Sequence, residues 1–303
     1  MRHPDGERAD LIITVDHTIA DGTACLYAIR DLLALHESPN VEIAPVALPP
    51  PATHLFPAPI LDAVALPAPP PSAARSATSW ASASASDVLI ATAELSGEAM
   101  RALARRCREQ GVTVHAAVCV AFAAACASLS ESKPEVIVSS PVSYRHRLDP
   151  GVRDTVSCSV AFADLHVNVS PPRSFWDQAH AVRRQLLEWT TDQKLFASSA
   201  AIEAANQAER DDARFLDRAS RDVKRHDLSI TNVGRQPSPR YGDLTIEAIH
   251  GAACVPGEII VALVAFDETM YVTLAAVGLS SAEREAARRM LASALIRLST
   301  LPA

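Results

Sequence analysis

The sequence predicts an α/β protein, and three observations carry that prediction. Short apolar runs rich in Val, Ile and Ala recur between residues 87 and 277, and stretches with apolar residues at helical spacing separate them. Asp267-Glu268-Thr269 joins the last two runs as a hairpin. Before residue 87 the texture changes, so we expect three parts: a short piece at 1–37, an extended connection at 38–86 and a folded lobe at 87–303.

The short piece reads as one strand and one helix. Leu11, Ile12, Ile13 and Val15 make residues 9–15 an apolar run bounded by charge, as in a buried strand. Leu26, Ile29, Leu32, Leu33 and Leu35 then recur at helical spacing, so a helix opens at Asp21 or Gly22. Between residues 38 and 86, eleven prolines are followed by alternating Ser and Ala, the mark of an extended tether. Leu55, Phe56, Ile60 and Leu61 are apolar residues within it that could dock on a lobe.

In the lobe, residues 87–95 read as a strand, Ser96 as the cap of a helix to about Gln110, and Gly111 as its stop. Thr113 caps a helix over 114–129 that is apolar nearly all round, which places it in the interior. His115, in its first turn, is either a cleft residue or a histidine at the surface or core edge. Strands follow at 135–142 and 156–169, then an amphipathic helix from 175 to about 195 and a more polar helical region at 197–222. Strands at 227–235, 241–255, 258–266 and 270–277 come next, and Ser280 with Glu283 makes a capping box for a final helix over 281–299.

Composition narrows the class. The chain has 303 residues, 49% hydrophobic and 21% charged, enough for two lobes of a globular protein. A net charge of -7 argues against a nucleic-acid surface. No apolar run is long enough to cross a membrane, and residues 1–10 are too polar for a signal peptide. Six cysteines, at 25, 107, 119, 126, 158 and 254, lack Cys-x-x-Cys spacing and fall mostly in apolar segments, as in a reducing cytoplasm. There is no Gly-x-Ser-x-Gly elbow, no phosphate-binding glycine loop and no zinc spacing, and one histidine beside Asp16 and Asp21 is too few to expect a metal.

The stretch that carries chemistry is the corner at residues 15–22, Val-Asp-His-Thr-Ile-Ala-Asp-Gly, between the first strand and the first helix. From the residues alone, His17 stands past a strand end where a rigid sheet can hold it toward a cleft, and Asp21 reads as a helix N-cap. The corner resembles the His-His-x-x-x-Asp-Gly motif of the condensation-domain and CoA-dependent acyltransferase superfamily, which includes phthiocerol dimycocerosyl transferase. Carried over, His17 is the catalytic base, while Asp21, followed by Gly22, turns away to pair with an Arg. Asp16 stands where the motif has its first histidine.

Two more segments carry the resemblance. Residues 141–148, Pro-Val-Ser-Tyr-Arg-His-Arg-Leu, are similar to the family's Pro-Val-x-x-Arg-x-Arg-Leu, which implies Arg145 as the partner of Asp21 through two parallel hydrogen bonds. Without the resemblance, Arg145 and Arg147 read as a solvated loop pair. Thr231-Asn232-Val233-Gly234 resembles the family's Ser-Asn-x-Gly, a segment near the tunnel that helps to join the lobes, with Thr231 in place of the Ser. Gly-Val-Thr-Val-His-Ala at 111–116 is also similar to the start of the second lobe in bacterial members.

The resemblance implies a chloramphenicol-acetyltransferase-like two-lobed fold. The superfamily places several strands and helices before the motif, so the expectation is a first lobe that is truncated and a second that is complete. It also implies an acyltransferase that moves an acyl group from CoA or an acyl carrier protein to an alcohol or amine. The thioester is a co-substrate, and no permanently bound cofactor is expected. A neutral His17 would take the acceptor's proton and return it to the departing thiolate. The alternative is a non-catalytic remnant or partner-binding lobe, whose uncovered strand and helix would expose leucines and isoleucines.

Overall fold

A computed structural model of the chain describes residues 7–17, 19–38, 40, 50–56, 87–129, 133–148, 154–170, 173–209, 226–238 and 240–301. Helix α1 spans Gly22–Glu37 and precedes a short 3-10 turn at Ala52–Leu55. The lobe then runs β1 (Val88–Leu95), α2 (Gly97–Glu109), α3 (Val114–Ala127), β2 (Glu135–Ser143), β3 (Val160–Asn168), α4 (Phe175–Trp189), α5 (Asp192–Glu209), β4 (Leu228–Gln236), β5 (Ile259–Phe266), β6 (Thr269–Val277) and α6 (Ser281–Ser299). Among the described residues, six strands form one mixed sheet in the order β1-β6-β5-β4-β2-β3. β4 lies parallel to both β2 and β5, and the remaining neighbours are antiparallel.

Local chemistry explains the boundaries. Thr113 accepts a hydrogen bond from the Ala116 amide and starts α3, and Ser280 and Glu283 close a reciprocal capping box on α6. Gly111 ends the α2 turn with a φ of +65°, a conformation that costs glycine little. Helix α3 is apolar all round because it is packed on every side: nine of its residues are buried, among them Val118, Phe122 and Ala125. Along β1, Leu89 and Leu95 enter the core while Ile90 stays exposed, the alternation of a strand with one covered face.

Four expectations are corrected. The strand expected at 9–15 does not form: residues 10–16 lie in no strand, and Leu11 and Ile12 are 48% and 67% exposed. The strand expected at 156–169 begins only at Val160, because the Ser157 carbonyl and the Ser159 amide are bonded to the corner before α1, as described below. The helix expected to reach about residue 195 stops at Trp189, and a second begins at Asp192, whose carboxylate meets Arg147 at 2.7 Å. Residues 241–255 form no strand, for a topological reason: β5 is already paired with β4 and β6, and β6 with β5 and β1. That segment is tied instead by its backbone, with Tyr271 Oη donating to the Glu247 carbonyl at 3.1 Å and the His250 ring set against Tyr271. The tether at 38–86 lies mostly outside the described residues, as do Ile60, Leu61 and much of the helical region expected to end at 222.

His115 is a core-edge residue. Its Nε2 lies 2.7 Å from Ser140 Oγ, and its Nδ1 is buried without a hydrogen-bond partner. Burial disfavours the imidazolium and pushes its pKa down to about 4. The unfolded chain binds this proton below its ordinary value of about 6.5, whereas the folded chain does not until about 4. The histidine thus removes stability as pH falls through that window. Thermal unfolding between about pH 7 and pH 4.5 should show a shallower loss of Tm for His115→Gln than for the parent, and equal slopes would contradict this burial.

Candidate active site

The corner before α1 is built around one carboxylate. Asp21 has an extended backbone, caps α1 by accepting the Ala24 amide at 2.8 Å on Oδ1, and accepts the Ser159 amide at 2.8 Å on Oδ2. Arg145 Nη2 donates to both carboxylate oxygens at 3.0 Å. Both roles open to Asp21 in the sequence are therefore present together. The pair is buried, with Asp21 2% and Arg145 5% exposed, and Arg145 is no solvated loop residue.

The geometry of the pair differs from the expected fork. Only Nη2 meets the carboxylate, while Nη1 donates to the Thr155 carbonyl at 2.8 Å and Nη2 also bonds the Ser157 carbonyl. The guanidinium thus ties the start of α1 to residues 155–157. The Asp21 amide adds a long bond to the Ser157 carbonyl at 3.4 Å, and the two serine hydroxyls, Ser157 and Ser159, lie 3.1 Å apart. Residues 156–159 are held as a ligand loop for this ion pair, which is why they do not extend β3.

A second contact fixes where α1 begins. In β4, Asn232 Oδ1 accepts the Gly234 amide at 2.8 Å, Gly234 has a φ of +76°, and the pairing with β5 shifts register between Asn232 and Arg235. The bulge presents Val233 to the first residue of α1, where a Cβ placed on Gly22 would sit 2.8 Å from Val233 Cγ1. Motif glycine and Asn-x-Gly segment therefore meet by close approach, and glycine at position 22 is a packing requirement.

His17 stands four residues before Asp21, on the exposed side of a turn in which the Ile19 amide donates to the Asp16 carbonyl at 3.1 Å. Its Nδ1 lies 3.9 Å from Cys158 Sγ. The Cys158 thiol is pushed up to about 11, first by burial and then by the charge of Asp21, so it is a neutral S–H near neutral pH. The structure thus joins Asp21, Gly22 and Arg145 to the Asn232–Gly234 bulge, with His17 exposed beside Cys158. Sequence reasoning missed Ser157, Cys158, Ser159 and Val233, because backbone ligands and a steric neighbour leave no motif. It left Phe56 open; that ring is buried against Tyr144, centroids 5.3 Å apart, and Phe196, 5.2 Å.

Two measurements check this architecture. Asp21→Ala and Arg145→Ala should each cost about 3 to 5 kcal/mol by stranding a buried charge. The double variant should lose much less than the sum of the two, and additive losses would contradict direct coupling. Gly22→Ala should destabilise by about 1 to 3 kcal/mol through overpacking, with most of that recovered when Val233→Ala is added.

No curated protein matches in sequence. Solved structures share the fold over nearly the whole chain at low identity. The epimerization domain from the third module of tyrocidine synthetase B matches with a TM-score of 0.60 and 9% identity over 94% of this chain and 67% of its own. Trichothecene 15-O-acetyltransferase from Fusarium sporotrichioides matches at 0.64 and 12%, over 93% and 64%. Polyketide synthase associated protein 5 from Mycobacterium tuberculosis matches at 0.63 and 14%, over 95% and 72%. The chain thus spans about two thirds of the length of these proteins. The family model for the C-terminus of phthiocerol/phthiodiolone dimycocerosyl transferase matches residues 84–271, a stretch that includes Arg145, Cys158, Asn232 and Gly234. That match covers more than half of the 303 residues, and on it the chain belongs to the phthiocerol/phthiodiolone dimycocerosyl transferase C-terminus family.

Proposed function

We propose that the chain is an acyltransferase, moving an acyl group from a CoA or carrier-protein thioester to an alcohol or amine, with His17 as general base. The observation that carries this reading is the placement of His17: an exposed imidazole on a turn anchored four residues later by the buried Asp21–Arg145 pair. Family membership supplies the reaction class. Such an anchor holds the base at fixed height without occupying its ring, so the nitrogen away from Cys158 is left for substrate. In the reaction, His17 takes the proton from the acceptor oxygen or nitrogen as that atom attacks the thioester carbonyl. The tetrahedral intermediate then expels the thiolate, which takes the same proton from the imidazolium. Charge balances without a covalent enzyme intermediate. The pair of Asp21 and Arg145 shapes the loop and takes no proton.

The competing reading is a partner-binding lobe without turnover, and exposed Leu11, Ile12, Ile19 and Leu32 favour it. Release of free thiol from short- to long-chain acyl-CoA, with alcohol and amine acceptors, separates the two. Turnover that falls on the order of 100- to 10,000-fold in His17→Ala supports the base. Turnover unchanged in that variant rejects His17, and a folded parent inert toward every acyl-CoA and carrier-bound thioester tried points to the binding lobe.

A further inference from the structure

We propose that Cys158 is the positioning residue for His17, its sulfur accepting the Nδ1–H of the imidazole so that Nε2 is left unprotonated to take the acceptor's proton. The inference rests on the reading of His17 as the base and adds the group that sets its tautomer. A neutral imidazole carries one ring proton, so a partner that accepts at Nδ1 decides what Nε2 can do. Cys158 Sγ is 3.9 Å from Nδ1, a distance at which a thiol can accept or donate, and the direction proposed is from Nδ1–H to sulfur.

The contact is built by the same clamp that holds the corner. On one side of Cys158, the Ser157 carbonyl accepts from Arg145 Nη2 and from the Asp21 amide. On the other, the Ser159 amide donates to Asp21 Oδ2 at 2.8 Å and its carbonyl accepts from the Tyr144 amide at 3.1 Å. Cys158 therefore has pinned neighbours before and after it, and Asp21, the centre of that pinning, follows His17 by four residues. One ion pair thus bonds the residues on both sides of Cys158 and the start of the helix that follows the His17 turn.

The chemistry of the thiol suits this role better than nucleophilic catalysis. Held up to about 11, it stays protonated through the neutral range, where thiolate for attack on a thioester is scarce. An uncharged partner can also orient the ring without setting a second charge beside it.

The tautomer itself is the test, read on the full chain by two-bond proton–nitrogen NMR of labelled histidines, with the His17 signals assigned by their loss in His17→Gln. At about pH 8 the parent should show His17 protonated on Nδ1. Cys158→Ala should lose that bias and Cys158→Ser should keep it. A parent His17 protonated on Nε2, or a Cys158→Ala spectrum unchanged at His17, overturns the inference, and the parent spectrum decides alone if the alanine variant does not fold. In the thioester assay, Cys158→Ala should lower kcat roughly tenfold with KM unchanged, the scale of partners that orient functional histidines. An acyl group found on Cys158 by intact mass would overturn the inference in favour of a covalent carrier. If His17→Ala keeps full turnover while the tautomer depends on Cys158, the base assignment has failed and the positioning contact has not.

Discussion

The buried pair of Asp21 and Arg145 is the constraint on which the rest of the site depends. Two charges removed from water need hydrogen bonds to offset the loss, and much of this pair's capacity is spent on backbone from three places: the start of α1, residues 155–157 and Ser159. The arrangement converts an electrostatic liability into geometry. Each polar bond fixes a different segment relative to the same two side chains, so the loop with His17 and the stretch with Cys158 share one reference point. Low exposure matters as much as distance, since a solvated pair of the same length would tie these segments weakly.

Sheet topology supplies the platform. Because β4 is parallel to both neighbours, its C-terminal end and that of β2 emerge at the same edge, which brings the bulge at Asn232–Gly234 and Arg145 toward one corner. The bulge re-aims Val233 against Gly22, a use of irregularity common where strands end near functional groups. Aligned strands, a positive-φ glycine and a helix cap thus converge on one corner from separate parts of the chain.

What was legible in the sequence follows from how local its cause is. Caps at Asp21, Thr113 and Ser280, the stop at Gly111 and the apolar wrap of α3 all depend on residues within a turn or two, and each left a mark that periodicity and turn chemistry detect. The partnership of Asp21 with Arg145 spans 124 positions and was legible only through family resemblance. Residues 156–159 and 241–255 differ for the opposite reason: apolar and β-branched residues suggest strands, but one stretch gives the Ser157 carbonyl and the Ser159 amide to a distant ion pair and the other lies beside β6, both sides of which are already paired. The one-nitrogen contact between Arg145 and Asp21, rather than a fork, is likewise set by carbonyls that no spacing rule anticipates.

Tyr144 and Arg145 are consecutive, and each receives a segment from before the sheet. Arg145 holds the front of α1, and the Tyr144 ring holds Phe56. Two points of the chain 35 residues apart, Asp21 and Phe56, are therefore moored on neighbouring residues of the lobe, so a shift of the backbone at 144–145 would be felt at both.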